Sequence, residues 1–117
     1  MTIQTTAAKN LMATAYSTNV GAYGAIGTGT PNTTSFGTEV TGGSPAYARI
    51  APSWGSAASS AISASAMNFN VPSSTTVTSF GFFSLSSAGT YYDGVTITSQ
   101  LFSSQGTYAI TPTYTQS

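Results

Sequence analysis

Four side chains in this 117-residue chain carry formal charge: Lys9, Glu39, Arg49 and Asp93. There is no His and no Cys. The usual N/S donors of a zinc site, the ligands of haem or an iron–sulfur cluster, and Ser–His–Asp or Cys–His nucleophile systems are therefore out of reach. One pair of carboxylates remains for acid–base work, and a glycosidase pair or aspartic dyad needs both in one cleft. Asp93 precedes Gly94 in a turn-like stretch, whereas Glu39 lies in a Gly/Thr/Ser-rich loop. The chain reads as non-enzymatic, with no cofactor and no metal.

Glu39 and Arg49 flank one loop, ten residues apart, and are placed to pair across the base of Thr41 to Pro45. Such a pair serves either to specify a contact with a neighbouring subunit or to pin the loop; a solvated Arg49 is the third option. Gly42-Gly43 is not a phosphate loop, because no Lys-Ser/Thr follows it. Trp54, Tyr91 and Tyr92 are candidates for a sugar-stacking platform. Threonines two apart recur at Thr28/Thr30, Thr76/Thr78, Thr96/Thr98 and Thr111/Thr113, but without the fixed repeat that a solenoid with an ice-binding face would show.

The polarity of the chain comes from hydroxyls. Ser occupies 19 positions and Thr 21, while only 3% of residues are charged and the net charge is zero. Two cations are too few to neutralise phosphates, so nucleic acid is not an expected partner, and an anionic membrane surface is disfavoured for the same reason. No segment has the roughly 18–20 apolar residues of a membrane helix. A neutral surface lacks the charge repulsion that keeps small proteins apart, which suits a protein that ends in an assembly.

Thr6 to Tyr16 is the one plausible helix, with Thr6 as cap, Ala7, Ala8, Leu11, Met12 and Ala15 along its inner face, and Asn19 to Gly21 ending it. Period-two patterns follow. Val20 to Ile26 is an expected strand, then a polar loop over Thr28 to Thr38; Ala46 to Trp54 is a second strand, limited by Pro52 to an edge or end. Ala61 to Val71 alternates in two registers that a bulge would separate. Thr75 to Leu85 is apolar on both faces, Asp93-Gly94 is the expected turn of a hairpin, and Gly106 to Thr115 closes the chain with Tyr108, Ile110, Pro112 and Tyr114 on one face. These elements predict an all-β fold, an antiparallel β-sandwich or small jelly-roll-like barrel with a short N-terminal helix. Residues 1–19 form an N-terminal arm and helix, and 20–117 a single domain.

The segments AIGTGTP, EVTGGSPAYAR, ISASAMNFNVP, VTSFGFFSLSSAGTYYDG and GTYAITPTYT stand in this order along the chain. Together they resemble a family of small tailed-phage virion proteins of β-sandwich type, the E-x-TGG-x-YAR motif being the most specific piece. The extra Pro45 and the absence of acidic and His positions in the first strand and loop depart from the commoner pattern. The resemblance implies a virion protein, assembled in the host cytoplasm and released by lysis, either a head decoration (minor capsid) protein or a tail-fibre-associated module. It implies the major capsid protein and copies of the same chain as partners, with host glycan as the ligand in the tail reading. No basic and apolar leader opens the chain, as expected of a protein released by lysis. Tyr47, Arg49 and Trp54 are the expected anchors, joined by Glu39 and by Pro31 and Phe36 of the long loop.

Overall fold

The computed structural model describes residues 3–117; the first two residues of the expected N-terminal arm lie outside the described residues. Helix α1 spans Thr6–Asn19, and Thr5 caps it from an extended backbone, its Oγ1 accepting the Ala8 N–H at 3.2 Å. The expected end at Tyr16 moves out by one turn, where Asn19 caps the Ala15 carbonyl with its side chain and Val20 and Gly21 both donate to the Tyr16 carbonyl. The expected inner face is corrected too: Ala13 and Ser17 are the buried residues, while Leu11 is 73% and Met12 47% exposed. Two small side chains let the helix lie close to the sheet, and a stacked Tyr16–Tyr114 pair, centroids 3.8 Å apart, sets its rotation.

Seven antiparallel strands follow: β1 (Tyr23–Gly27), β2 (Ala61–Ser63), β3 (Met67–Val71), β4 (Thr75–Phe83), β5 (Tyr91–Phe102), β6 (Gly106–Ile110) and β7 (Thr113–Thr115). One layer is a three-stranded sheet in the order β1-β4-β5. The other is a two-stranded ribbon in two pieces, β3 on β6 and β2 on β7. The expected all-β fold with a short N-terminal helix is what the chain adopts. Ile26, Met67, Phe69, Val71, Val77, Phe80 and Phe82 fill the space between the layers, with Phe69 edge-on to Phe80.

The break in the ribbon is the bulge expected from the two registers of Ala61 to Val71. Ile62 and Ala64 point inward on one side of it, and Met67, Phe69 and Val71 on the other, so the inward parity switches at Ser65-Ala66. Opposite it stands Pro112, which has no N–H to give but accepts from the Ala64 N–H at 3.0 Å.

Two expectations are overturned. Ala46 to Trp54 is not a strand; it runs along the β1 edge, where its one backbone bridge is Gly24–Ile50, with Trp54 bridging to Ala64. Asp93-Gly94 is not a turn. Both lie within β5, Asp93 opposite Phe82 and Gly94 opposite Gly81, and the hairpin turns instead at Ser84–Thr90, where Ala88 and Gly89 take positive φ. A continuous ladder with β4 outweighs the local turn preference of Asp–Gly. Among the described residues the outer edge of β5 has no strand partner, and register shifts opposite Thr78 and at Tyr92 interrupt its ladder with β4. The molecule is elongated, 47 × 27 × 25 Å, with a radius of gyration of 14.9 Å; a compact chain of this length would have about 13 Å.

β4 is buried on both faces from Ser79 to Phe83, as the sequence predicts. Leu85, expected to continue that face, lies beyond the strand and is 55% exposed. Gly81 leaves the space that the Phe36 ring fills: a Cβ there would meet that ring at 2.7 Å. Beside it the Ser79 hydroxyl is buried and has no hydrogen-bond partner among the described residues. An unpaired buried hydroxyl costs about 1–3 kcal/mol. Ser79→Ala is therefore expected to stabilise the fold by about 1 kcal/mol, seen in calorimetry as a rise in Tm of about 4 °C; a fall in Tm would mean that the hydroxyl is paired in solution.

Candidate functional site

Glu39 and Arg49 meet as their spacing allows, and the partner is internal. The β1 edge holds Glu39 in place through the Gly27–Glu39 bridge, and the Gly24–Ile50 bridge holds the residue next to Arg49. The guanidinium grips the carboxylate at two points, Nε to Oε2 and Nη2 to Oε1, both 2.9 Å. Its Nη1 donates to the carbonyls of Leu85 (2.9 Å) and Ala88 (2.7 Å) in the β4–β5 turn, and the group lies 3.8 Å over the Phe83 ring. Tyr47 donates its hydroxyl to Glu39 Oε2 at 2.6 Å and accepts the Ile26 N–H. Arg49 is 7% exposed in its side chain, so of the open readings the structure selects the pinned loop.

The titrations follow from these contacts. Burial pushes the Glu39 carboxyl up, but hydrogen bonds from Arg49 and Tyr47 outweigh it and hold it below the usual carboxylate range. The bond to Glu39 raises Arg49 further. Burial, then the bond to Glu39, lifts Tyr47 far above an ordinary phenol. Tyr16 is lifted likewise, by burial and by its bond to Asp93.

Tyr16 belongs to a second feature, a cleft of about 490 Å³ between the end of α1, β5 and the ribbon. Its walls are aromatic: Tyr16 stacks on Tyr114 and meets Phe82 edge-on at 6.1 Å, and Trp54 lies 5.9 Å from Phe82. The Trp54 indole N–H donates to the Gly21 carbonyl at 2.9 Å, and its ring lies so close to Gly21 that a Cβ there would meet it at 2.5 Å. The one carboxylate of the cleft is Asp93, whose Oδ2 accepts the Tyr16 hydroxyl at 2.5 Å. Its size lies within the range of small-molecule sites.

The expected site residues therefore separate. Glu39, Tyr47 and Arg49 form the internal latch, with little of Arg49 left for a neighbour. Phe36 is buried against Phe83 and Tyr91, a core group rather than an exposed anchor. Pro31 is half-buried and, with Tyr91 and Tyr92, lines a shallow hollow beside β5. Trp54 faces the cleft, so Trp54, Tyr91 and Tyr92 do not form one platform. The two carboxylates likewise line different hollows, Asp93 the cleft and Glu39 the neighbourhood of the latch. Among the described residues no three of His, Cys, Asp and Glu come together as metal ligands would. The sequence pattern puts Tyr16 at the end of a helix and Tyr114 on a strand face, but nothing local pairs them, because the stack joins opposite ends of the chain.

No family model, curated protein or solved structure matches this chain.

Two measurements probe these networks. Glu39 sits lower in the fold than unfolded, so its contribution is fully present above about pH 4.3 and is lost as pH falls through the folded value. Arg49→Ala, which strands a partly buried carboxylate, is expected to cost about 3 kcal/mol in denaturant melts at pH 7, and to cost less at pH 3; an equal cost at both would separate Arg49 from Glu39. At high pH the sign reverses: Tyr16 and Tyr47 are raised, so their contribution holds below about pH 10 and declines above it. In an absorbance titration, two of the seven tyrosines are expected to ionise only as the chain unfolds.

Proposed function

We propose that this chain is a non-enzymatic structural protein of a tailed-phage virion that binds and reinforces the outer surface of the capsid. The observation that carries this reading is the character of the exterior. It is rich in hydroxyls, two of the four charges are spent inside, and large apolar side chains stand exposed: Leu85 at 55%, Leu101 at 61% and Tyr92 at 48%. Such a surface suits a broad, permanent contact in which apolar anchors exclude water and Ser and Thr satisfy a neighbour's backbone. The E-x-TGG-x-YAR resemblance supports the same reading. With the latch turned inward, the role of anchor moves from Tyr47 and Arg49 to Leu85, Tyr92 and Leu101, and no catalytic residue is assigned.

The reading as a tail-associated module for host glycan has less to stand on. Its proposed platform is divided between two hollows, and the cleft that keeps Trp54 is mostly apolar.

Gold-labelled antibody against the chain, applied to intact particles, is expected to cover heads at high copy. Leu101→Asp, at an exposed position, should bring head label to background while leaving the circular dichroism spectrum unchanged. Label confined to the tail tip would overturn the capsid reading and favour the glycan one.

A further inference from the structure

With Glu39 and Arg49 paired to each other, two charges of opposite sign are left, Lys9 and Asp93. Neither forms an ion pair among the described residues. Among the described residues the Asp93 carboxylate accepts the Tyr16 hydroxyl and its neighbour's N–H, from Gly94 at 2.9 Å, and no other donor. Tyr16 links the two charges: it follows Lys9 by about two turns of α1 and donates its hydroxyl to Asp93. Lys9, Met12 and Tyr16 are spaced three and four apart on α1 and so share one stripe beside its buried face. Tyr16 stacks on Tyr114 and reaches Asp93, and past Asp93 lies the mouth of the cleft with Val95, 54% exposed. The axial rise from Lys9 to Tyr16 is about 10 Å.

A patch with a cation at one end, an anion at the other and apolar groups between is complementary to itself after a two-fold rotation. We infer that this chain forms a two-fold dimer in which Lys9 of each copy seats against Asp93 of the other, and Met12 against the Tyr16–Tyr114 wall of its cleft. The lining of the cleft fits a thioether better than a sugar. Its polar groups are largely used within the chain: the Tyr16 hydroxyl on Asp93, and the Thr113 hydroxyl on Ser63 at 2.9 Å. Net neutrality removes the repulsion that two copies of a charged protein would feel. A standard contact needs about 800 Å² per copy, a modest part of the 6381 Å² that each exposes. This gives a surface to the self-association implied with the capsid reading, yet the dimer requires no capsid, so its failure leaves attachment to a capsid untouched.

The purified chain is measured by analytical ultracentrifugation over a concentration series. A dimer is expected, with association weakening at least tenfold on going from low to high salt. Lys9→Asp and Asp93→Lys should each be monomeric, and their equimolar mixture should dimerise, because both charge contacts are then opposite in sign again. A wild-type chain that stays monomeric, a dimer that survives either reversal, or a mixture that fails to associate would each overturn the dimer. Should Asp93→Lys lose its fold by circular dichroism, the decision passes to Lys9→Asp and Met12→Asp, both on the helix surface. Each must then dissociate the dimer, and survival of the dimer in either overturns it.

Discussion

The half-buried pair of Glu39 and Arg49 is the constraint around which the rest is arranged. Taking two ions out of water costs several kcal/mol each, and mutual attraction offsets this only when the remaining donors and acceptors are also satisfied. Here they are: the carboxylate receives Nε, Nη2 and the Tyr47 hydroxyl, and the spare guanidinium N–H groups go to Leu85 and Ala88. The chain supplies no other cation nearby to substitute. One interaction thereby joins the segment that covers the β1 edge to the β4–β5 turn and the Phe83 end of the sheet, with which that segment shares no ladder.

That arrangement explains why Ala46 to Trp54 does without regular pairing. Its alternation is a strand's, but Pro45 precedes it, Pro52 interrupts it and Arg49 is called to the far end of β4. The segment is held by two bridges and a salt bridge in place of a ladder. Trp54 at its end is then free to pack on Gly21 and Phe82, and so becomes a wall of the cleft.

Much of the fold was legible in the sequence where a local pattern and the global demand agree. The two registers of Ala61 to Val71 record a parity switch that the ribbon needs, and the doubly apolar Thr75 to Phe83 records a strand covered on both sides. The C-terminal end of the helix is readable for the same reason, since Asn19 and Gly21 satisfy groups within their own turn, whereas the cap falls on Thr5 and not on the expected Thr6. Legibility ends where a distant partner decides. Tyr114 sets the rotation of α1 and exposes Leu11 and Met12; Gly81 holds Asp93-Gly94 in a ladder that the dipeptide alone would leave. The candidate site suffered most, because its aromatic walls come from the helix, the irregular segment, β4 and the last strand.

The unpaired edge of β5 bears on the fate of the protein at high concentration. A twelve-residue strand with a free edge is a template on which further strands can grow into a fibril. Register shifts opposite Thr78 and at Tyr92 divide that edge into short runs, and the middle one, Asp93 to Thr96, carries both a carboxylate and a glycine. Asp93 and Gly94 thus act as gatekeepers against runaway polymerisation, in a chain that has almost no other charge with which to resist it.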